Sequence, residues 1–177
     1  MSNKRKAIIG IIVLIFIILV ALISVYLYNE TNVRGLQYRI YNEDGWSKWY
    51  SSDQIAGEEN KKITAIEIKI DSEKSGHIIY NTYSATDNFD NNDSYDGDTA
   101  GNKKDSLYGI KISLTDDLYN NYKVYYRTYN KKDKWLDWTT DYNISGNNEV
   151  NIEKIQIKMM NNNYEFNEKQ EKNSIGF

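Results

Sequence analysis

Residues 36–70 read LQYRIYNEDGWSKWYSSDQIAGEENKKITAIEIKI, and residues 124–159 read VYYRTYNKKDKWLDWTTDYNISGNNEVNIEKIQIKM. The two stretches match along their length when one residue is added in the middle turn of the second. Each contains Y-R-x-Y-N, then W-x-x-W, then a glycine, then an alternating apolar ending. So many coincident positions indicate an internal repeat, which has to be recognised before a fold is assigned.

Residues 78–114, IIYNTYSATDNFDNNDSYDGDTAGNKKDSLYGIKISL, form a more divergent unit between them. This unit keeps Tyr80, Gly101 and the I-x-I-x-L ending. It lacks both tryptophans, although Phe89 stands near the first of the two positions. The sequence therefore predicts three related units between residues 35 and 160.

The end of each unit alternates apolar and polar residues, as at Ile66, Ile68 and Ile70, which is typical of a half-buried β-strand. Each unit begins with a tyrosine-rich, β-prone run, and a turn signal such as residues 42–45 precedes the tryptophan-containing stretch. These signals predict about three strands per unit. No helical periodicity follows Tyr28, so we predict an all-β exported domain.

One unit of about 40–45 residues is too small to bury a core, whereas three units can bury their apolar strand faces together. Closure would also remove exposed sheet edges. We therefore predict a pseudo-threefold, β-prism-like arrangement, with a β-trefoil-like barrel as the alternative. The residues expected to face the shared interior are Ile66, Ile68, Ile110, Ile112, Ile155 and Ile157.

Residues 7–28, AIIGIIVLIFIILVALISVYLY, carry no charge. A helix of this length measures about 33 Å and spans the hydrocarbon core of a bilayer. Residues 4–6 are basic, so the positive-inside rule places the N-terminus in the cytoplasm and the rest of the chain outside. A cleavable signal peptide is the alternative, but no A-x-A-like site follows. We expect an uncleaved signal anchor and a single-pass protein of the cell membrane with an extracellular C-terminal domain.

The predicted organisation follows from these features. A basic cytoplasmic N-terminus and a transmembrane anchor precede a linker, the three repeats and a polar C-terminal tail whose start is a candidate closing strand. The boundaries are 1–6, 7–28, 29–34, 35–160 with repeats at 35–71, 77–115 and 122–160, and 161–177.

Composition excludes several kinds of chemistry. The chain has no cysteine, which excludes disulfides, thiolate metal sites and thiol nucleophiles. Its net charge is −3, and residues 1–28 carry +3, so −6 remains on the exported part and we expect no nucleic-acid partner. His77 is the single histidine, and no spacing signal pairs carboxylates such as Glu67 and Asp137 for glycoside hydrolysis. We predict a non-enzyme without cofactors.

The pattern Y-x-x-Y-N, G-W-x-x-W, (A/S)-G and I-x-x-I-x-I-x-I, in tandem copies over residues 35–160, resembles the clostridial hydrophobic repeat with a conserved tryptophan, the ChW family. The match is strongest at residues 45–49, at Ala56-Gly57 and at residues 65–70. Lys134 replaces the glycine of the third copy. The resemblance implies an exported protein of Gram-positive clostridial type, in which such repeats are proposed to attach to surfaces or bind extracellular polymers. It implies no catalysis.

The tryptophan pairs are the most specific candidates for ligand binding. Tryptophan faces can stack on sugar rings and anchor interfaces, while the alternative role is core packing. Residues three apart in a regular strand point to opposite faces, so at most one tryptophan of each pair is expected in the core. An arginine recurs between the two tyrosines of the Y-R-x-Y motif in the first and third units. It offers a cation for contacts with aromatic groups, and the alternative role is part of a polar strand face. The candidates are Trp46, Trp49, Trp135, Trp138, Arg39 and Arg127.

Aspartates crowd the loop of the middle unit. Oxygen ligands at such density can hold calcium, although the spacing is not that of an EF-hand and a solvated acidic loop is the alternative. The weak calcium candidates are Asp90, Asp93, Asp96 and Asp98.

Together these features predict a membrane-anchored extracellular binding or adhesion module of a Gram-positive-type cell surface. Its expected partner is a cell-surface glycan or protein, recognised through aromatic residues. The alternative is a non-catalytic structural accessory of a cell-surface membrane complex.

Overall fold

The computed structural model describes residues 3–31, 35–89, 92–168 and 174–175. It consists of one long N-terminal helix followed by a domain built mostly of β-strands. The elements in chain order are α1 (Asn3–Thr31), β1 (Leu36–Asn42), β2 (Gly45–Trp46), β3 (Tyr50–Ser51), β4 (Ile55–Gly57), β5 (Ala65–Ile70), β6 (Ile78–Ser84), β7 (Ser94–Tyr95), β8 (Leu107–Leu114), α2 (Asp116–Asn121), β9 (Tyr122–Asn130), β10 (Lys134–Trp135), β11 (Thr139–Thr140), β12 (Ser145–Asn147), β13 (Lys154–Asn161) and β14 (Ser174–Ile175).

Helix α1 is long and apolar enough to span a membrane from Ile8 to Tyr26. Its large apolar side chains between Ile8 and Tyr26 are exposed, from 47% at Val20 to 66% at Phe16, so this stretch is not part of the buried core of the β domain. The helix begins before and ends after the predicted anchor at residues 7–28, because the flanking polar residues continue the helical hydrogen bonding.

Three pairs of antiparallel strands form the centres of three sheets. In the first, β1 pairs with β5 on one side and with β2 and β3 on the other. In the second, β6 pairs with β8 and with β7. In the third, β9 pairs with β13 on one side and with β10 and β11 on the other. The predicted all-β class is confirmed, and the sheets are open and antiparallel apart from one short parallel pairing between β12 and β14.

A short segment from another part of the chain extends the edge of each sheet. Strand β4 pairs with β13, and β12 pairs with β8. Ala100 forms an antiparallel bridge with Ile66 of β5. These three segments therefore cover the outer edges of the strands that end each predicted repeat.

Three backbone hydrogen bonds form a closed ring that joins one residue from each predicted repeat. The amide of Ile63 donates to the carbonyl of Ile152 (2.9 Å), the amide of Ile152 donates to Leu107 (2.8 Å), and the amide of Leu107 donates to Ile63 (2.8 Å). All three side chains are buried, with at most 3% exposed. The ring satisfies backbone groups that would otherwise be buried without partners.

The segments approach the neighbouring strands so closely that three glycines are required. A Cβ atom on Gly57 would lie 2.2 Å from the carbonyl oxygen of Glu153. The corresponding distances are 2.5 Å for Gly101 and Thr64, and 2.2 Å for Gly146 and Tyr108. All three glycines also have positive φ angles, which other residues adopt at a cost.

The apolar residues of all three sheets share one buried cluster. Each of the six isoleucines predicted to face a common interior is at most 2% exposed and belongs to this cluster, so that prediction is confirmed. The alternation predicted for the last strand of each unit therefore corresponds to real burial.

Three tyrosine hydroxyls cross-link the core to neighbouring strands. Tyr38 donates to the carbonyl of Gln54 and accepts from the amide of Ile157 (3.2 Å). Tyr80 makes the same pair of bonds with Asp98 and Ile68, and Tyr126 donates to the carbonyl of Asn143. Burial raises the pKa of all three hydroxyls well above the usual tyrosine range. Each hydroxyl is thus held neutral in the folded domain.

Two features differ from the sequence prediction. A short helix, α2, joins β8 to β9 and buries Leu118, which is 2% exposed. Its six residues are too few to show helical periodicity in the sequence. The start of the C-terminal tail turns after Asn161 instead of forming a closing strand, and Ser174–Ile175 pairs in parallel with β12.

The cost of adding a side chain at the close approach of Gly57 can be measured separately from the cost of its positive φ angle. Gly57 has φ +98° and Gly97 has φ +97°, but the nearest atom to a Cβ on Gly97 is Lys69 Cβ at 3.9 Å. We expect Gly97→Ala to lower the free energy of unfolding by about 1–2 kcal/mol through backbone strain. Gly57→Ala should lose at least about 2 kcal/mol more, because β4 must move away from β13. Urea unfolding of the full chain in detergent, followed by tryptophan fluorescence, measures both. Equal losses would contradict this account.

Alkaline pH should destabilise the domain through the three cross-linking tyrosines. Their pKa is raised in the folded state, so their contribution is complete below pH about 10 and is lost as the pH rises, because the unfolded chain releases these protons near pH 10. Above pH about 10, each hydroxyl adds about 1.4 kcal/mol per pH unit to the decrease in the free energy of unfolding. Tyr126→Phe should reduce the fall between pH 8 and 11 and cost about 1–2 kcal/mol at pH 8. An unchanged pH dependence in this variant would contradict the prediction; Tyr119→Phe, at an exposed side chain, controls for the loss of a hydroxyl.

Candidate functional site

The first repeat brings both of its tryptophans to one arginine. The Arg39 guanidinium carbon lies 4.5 Å from the Trp46 ring centroid and 4.7 Å from that of Trp49. Lys103 and Lys69 lie over the same rings, at 5.1 Å from Trp46 and 4.2 Å from Trp49. Cationic groups and indole rings therefore alternate across this surface, which we call the first tryptophan ladder.

The strand break between β2 and β3 explains why the two tryptophans lie together. A regular strand would place them on opposite faces. Here residues 47–49 leave the strand, and Ser47 binds Ile40 twice, with its amide donating to the Ile40 carbonyl (2.9 Å) and its hydroxyl accepting from the Ile40 amide (3.1 Å). Both rings consequently turn toward Arg39.

The third repeat builds a second ladder with the same geometry. The Arg127 guanidinium carbon lies 4.7 Å from the Trp135 centroid and 4.5 Å from the Trp138 centroid. The first ring of each pair also meets a tyrosine edge-on, Trp46 with Tyr41 at 5.3 Å and Trp135 with Tyr129 at 5.6 Å. The structure thus brings together all six candidate binding residues, in two groups of three.

The two arginines have different anionic surroundings. Arg39 forms an ion pair with Glu67 (2.6 Å), whose other oxygen accepts from the Thr99 hydroxyl (2.7 Å). Arg127 instead donates to the neutral Gln156 amide oxygen, at 2.7 and 3.0 Å. Burial lowers the pKa of Arg127, an effect that the nearby Glu168 carboxylate opposes. Both guanidinium groups have hydrogen-bond partners in the sheet that fix their orientation.

The two ladders also differ in their exposure. Trp46 and Trp49 are half-buried, whereas Trp138 is only 2% exposed. Phe166 lies edge-on to Trp138 at 5.6 Å and stacks on Tyr125 at 3.9 Å. The indole nitrogen of Trp138 donates to Glu168 (2.7 Å). The C-terminal segment therefore covers one end of the second ladder, while the first remains accessible.

The middle repeat replaces the tryptophan ladder with a lysine. Lys111 Nζ lies 4.2 Å from the Phe89 centroid and 5.3 Å from that of Tyr142. Lys111 pairs across the sheet with Asn81, which occupies the arginine position of the other repeats. A cation–aromatic contact thus persists without tryptophan or arginine.

The acidic loop uses its described carboxylates for internal hydrogen bonds. Asp93 accepts from the Asn81 amide (3.1 Å) and the Tyr142 hydroxyl. Asp98 accepts from the Tyr95 amide at 3.2 Å. No group of three acidic or histidine side chains that could hold a metal occurs among the described residues, and Asp90 lies outside them.

His77 meets Asp96 from this loop. Its ring nitrogen Nδ1 contacts one oxygen of Asp96, and the other oxygen accepts from the Ile78 amide (3.0 Å). The histidine side chain is 57% exposed. The contact attaches the loop to the start of β6.

A cleft of about 450 Å³ adjoins the first ladder and was not expected from the sequence. We call it the lysine cleft, after Lys62, Lys103 and Lys104. None of these three ammonium groups has a carboxylate oxygen within 4.0 Å among the described residues. The other residues that line it are Tyr41, Asn42, Glu43, Asn60, Thr64 and Ser106.

The lysine cleft combines two distant stretches of sequence. The doublets at residues 61–62 and 103–104 each lie between the glycine and the last strand of their repeat. That shared position was the one signal of the cleft available in the sequence. The proximity of the two lysine doublets depends on the bridge between Ala100 and Ile66, which the sequence does not reveal.

No family model, curated protein or solved structure matches this chain. Function therefore has to be inferred from the arrangement of its own side chains.

The cover over the second ladder can be tested by removing Phe166. Phe166→Ala should lower the free energy of unfolding by about 2–3 kcal/mol, below the full core value, because the ring packs at the domain surface. It should also shift tryptophan emission to longer wavelength, because Trp138 becomes hydrated. Trp138→Phe in the same background should abolish the shift, and Tyr164→Ala, nearby in the same segment, is the matched control. Unchanged emission in Phe166→Ala would contradict the proposed cover.

Proposed function

We propose that the three repeats are arranged around a pseudo-threefold axis in a β-prism-like fold. The ring of hydrogen bonds joining Ile63, Leu107 and Ile152 supports this arrangement. Further support comes from the cyclic pairing, in which the glycine-containing segment of each repeat joins the last strand of the preceding one. Three open sheets with separate central strands favour a prism over a trefoil barrel.

We further propose that α1 is an uncleaved signal anchor and that the β domain is extracellular. The basic residues before the apolar span support this orientation. Residues 32–35 separate Thr31 from Leu36, so the start of β1 lies within about 18 Å of the end of α1. Strand β1 then runs for about 20 Å before it reaches the lysine cleft. This places the cleft at the end of β1 farther from the anchor.

We infer that the protein is a membrane-anchored binding or adhesion module of a Gram-positive-type cell surface, with a surface glycan or protein as its ligand. The observation that carries this inference is the half-exposed first ladder beside the lysine cleft. Aromatic faces next to polar and charged groups suit recognition of both kinds of ligand. The resemblance of the repeats to the ChW family supports the same function.

We propose no catalytic role. Glu67, one of the carboxylates considered for glycoside hydrolysis, is 8% exposed, and both of its oxygens bind neighbouring side chains. Such a group is poorly placed to exchange protons with a substrate.

The test uses the full chain displayed on a Gram-positive host. Protease added to intact cells should digest the β domain. Displaying cells should bind isolated cell walls or other cells, and Trp46→Ala or Trp49→Ala should weaken binding about tenfold, the usual effect of losing a well-placed aromatic contact of about 1.4 kcal/mol. Trp138→Phe is the matched control, because its ring is covered and should not contribute.

Three results would overturn the proposal. A domain that survives protease on intact cells but not after lysis would have the opposite orientation. Equal binding by all variants would exclude the first ladder. Isolation of the chain in a stable membrane complex, with no binding to cells or walls, would favour the accessory role.

A further inference from the structure

We propose that the lysine cleft binds the anionic groups of an acidic polysaccharide or polyol-phosphate polymer, while the adjoining aromatic residues contact its uncharged parts. This inference rests on the proposed binding function and specifies its ligand class. The shared chemistry is a repeated phosphate or carboxylate on a hydroxylated chain.

The charge of the cleft is opposite to that of the domain. The exported part carries −6, yet Lys62, Lys103 and Lys104 converge on one concave surface without carboxylate partners among the described residues. Of the described residues that line it, Glu43 is the single acidic one. A fourth ammonium group stands nearby, because Lys131 donates to the Asn60 side chain (3.1 Å) at the wall of the cleft. Mutual repulsion of these cations would be relieved by a bound anion.

Five other lysines of the described domain pair with carboxylates. Lys61, directly before Lys62, contacts Asp44 (2.6 Å) and Glu58 (2.9 Å). Lys154 contacts Glu59 at 2.8 Å, and Lys123 contacts Asp141 at 3.0 Å. Lysines without a carboxylate oxygen within 4.0 Å also occur elsewhere among the described residues, as at Lys74 and Lys111, so the cleft is distinguished by the convergence of three such groups on one concave surface.

A comparison between repeats shows that the fold does not require a positive charge here. Two residues after its glycine, the second repeat places Lys103 over Tyr41, at 5.6 Å. The same position in the first repeat is Glu59, which lies beside the equivalent Tyr129 and binds Lys154. One of the three junctions thus closes on an internal ion pair, whereas another leaves its cations without one.

The aromatic and polar lining fits the rest of such a polymer. Lys103 lies over both Tyr41 and Trp46, so an anion bound to it would sit next to two ring surfaces. Side-chain amides and hydroxyls of Asn42, Asn60 and Ser106 line the same space and suit hydrogen bonding to hydroxyl groups. Because binding is largely ionic, it should weaken as salt is added.

The experiment uses the full chain in nanodiscs of zwitterionic lipid. Binding is measured by calorimetry with three probes, a poly(glycerol phosphate), polygalacturonate and neutral dextran, at low and physiological salt. The variant Lys62→Gln, Lys103→Gln, Lys104→Gln removes the charges of the cleft. The matched control Lys74→Gln, Lys132→Gln, Lys134→Gln removes the same charge from exposed sites elsewhere. Urea unfolding midpoints verify that both variants fold.

At low salt, the cleft variant should lose at least tenfold in affinity for an anionic probe, while the control variant should retain its affinity. This result would support the proposal. The preferred probe then distinguishes phosphate from carboxylate. Equal losses in both variants, or no binding of either anionic probe, would overturn the proposal. In those cases the cell-binding assay with Trp46→Ala still decides the proposed function separately, because a neutral glycan or protein ligand would be bound without the lysines.

Discussion

The ring of backbone hydrogen bonds among Ile63, Leu107 and Ile152 is the constraint on which the domain depends. Each bond joins a different pair of the three predicted repeats, so each of these amides finds its acceptor in another part of the chain. The edge pairings and tyrosine cross-links next to the ring have the same property, since each bridges two repeats. Folding of this domain is therefore expected to be cooperative, with the repeats gaining stability together.

Much of the fold could be predicted because the repeat pattern reports directly on burial. Alternating apolar residues identify the last strand of each repeat, and Ile68, Ile112 and Ile157 are completely buried. The sharing of short strands between repeats was less accessible, because it depends on contacts between distant residues. Glycines such as Gly57 marked those sites without revealing which strand approaches them.

The candidate site was predicted only in its residue types. Sequence reasoning selected the tryptophans and arginines, but a regular strand would have separated Trp46 from Trp49, and the break after β2 reverses that outcome. It also could not distinguish the two copies. Trp49 and Trp138 occupy equivalent positions, yet a segment outside the repeats covers Trp138. Environment, rather than motif, decides which copy packs and which faces solvent.

The attachment of α1 to β1 has a mechanical consequence. Strand β1 is central in its sheet and is hydrogen-bonded to β5 along one edge and to β2 and β3 along the other. These bonds run perpendicular to the strand. A pull between the proposed membrane anchor and the ligand proposed for the far end of β1 would load these bonds in shear, so that several must break at once. The chain segment from α1 thus enters the domain through a strand that is hydrogen-bonded along both edges.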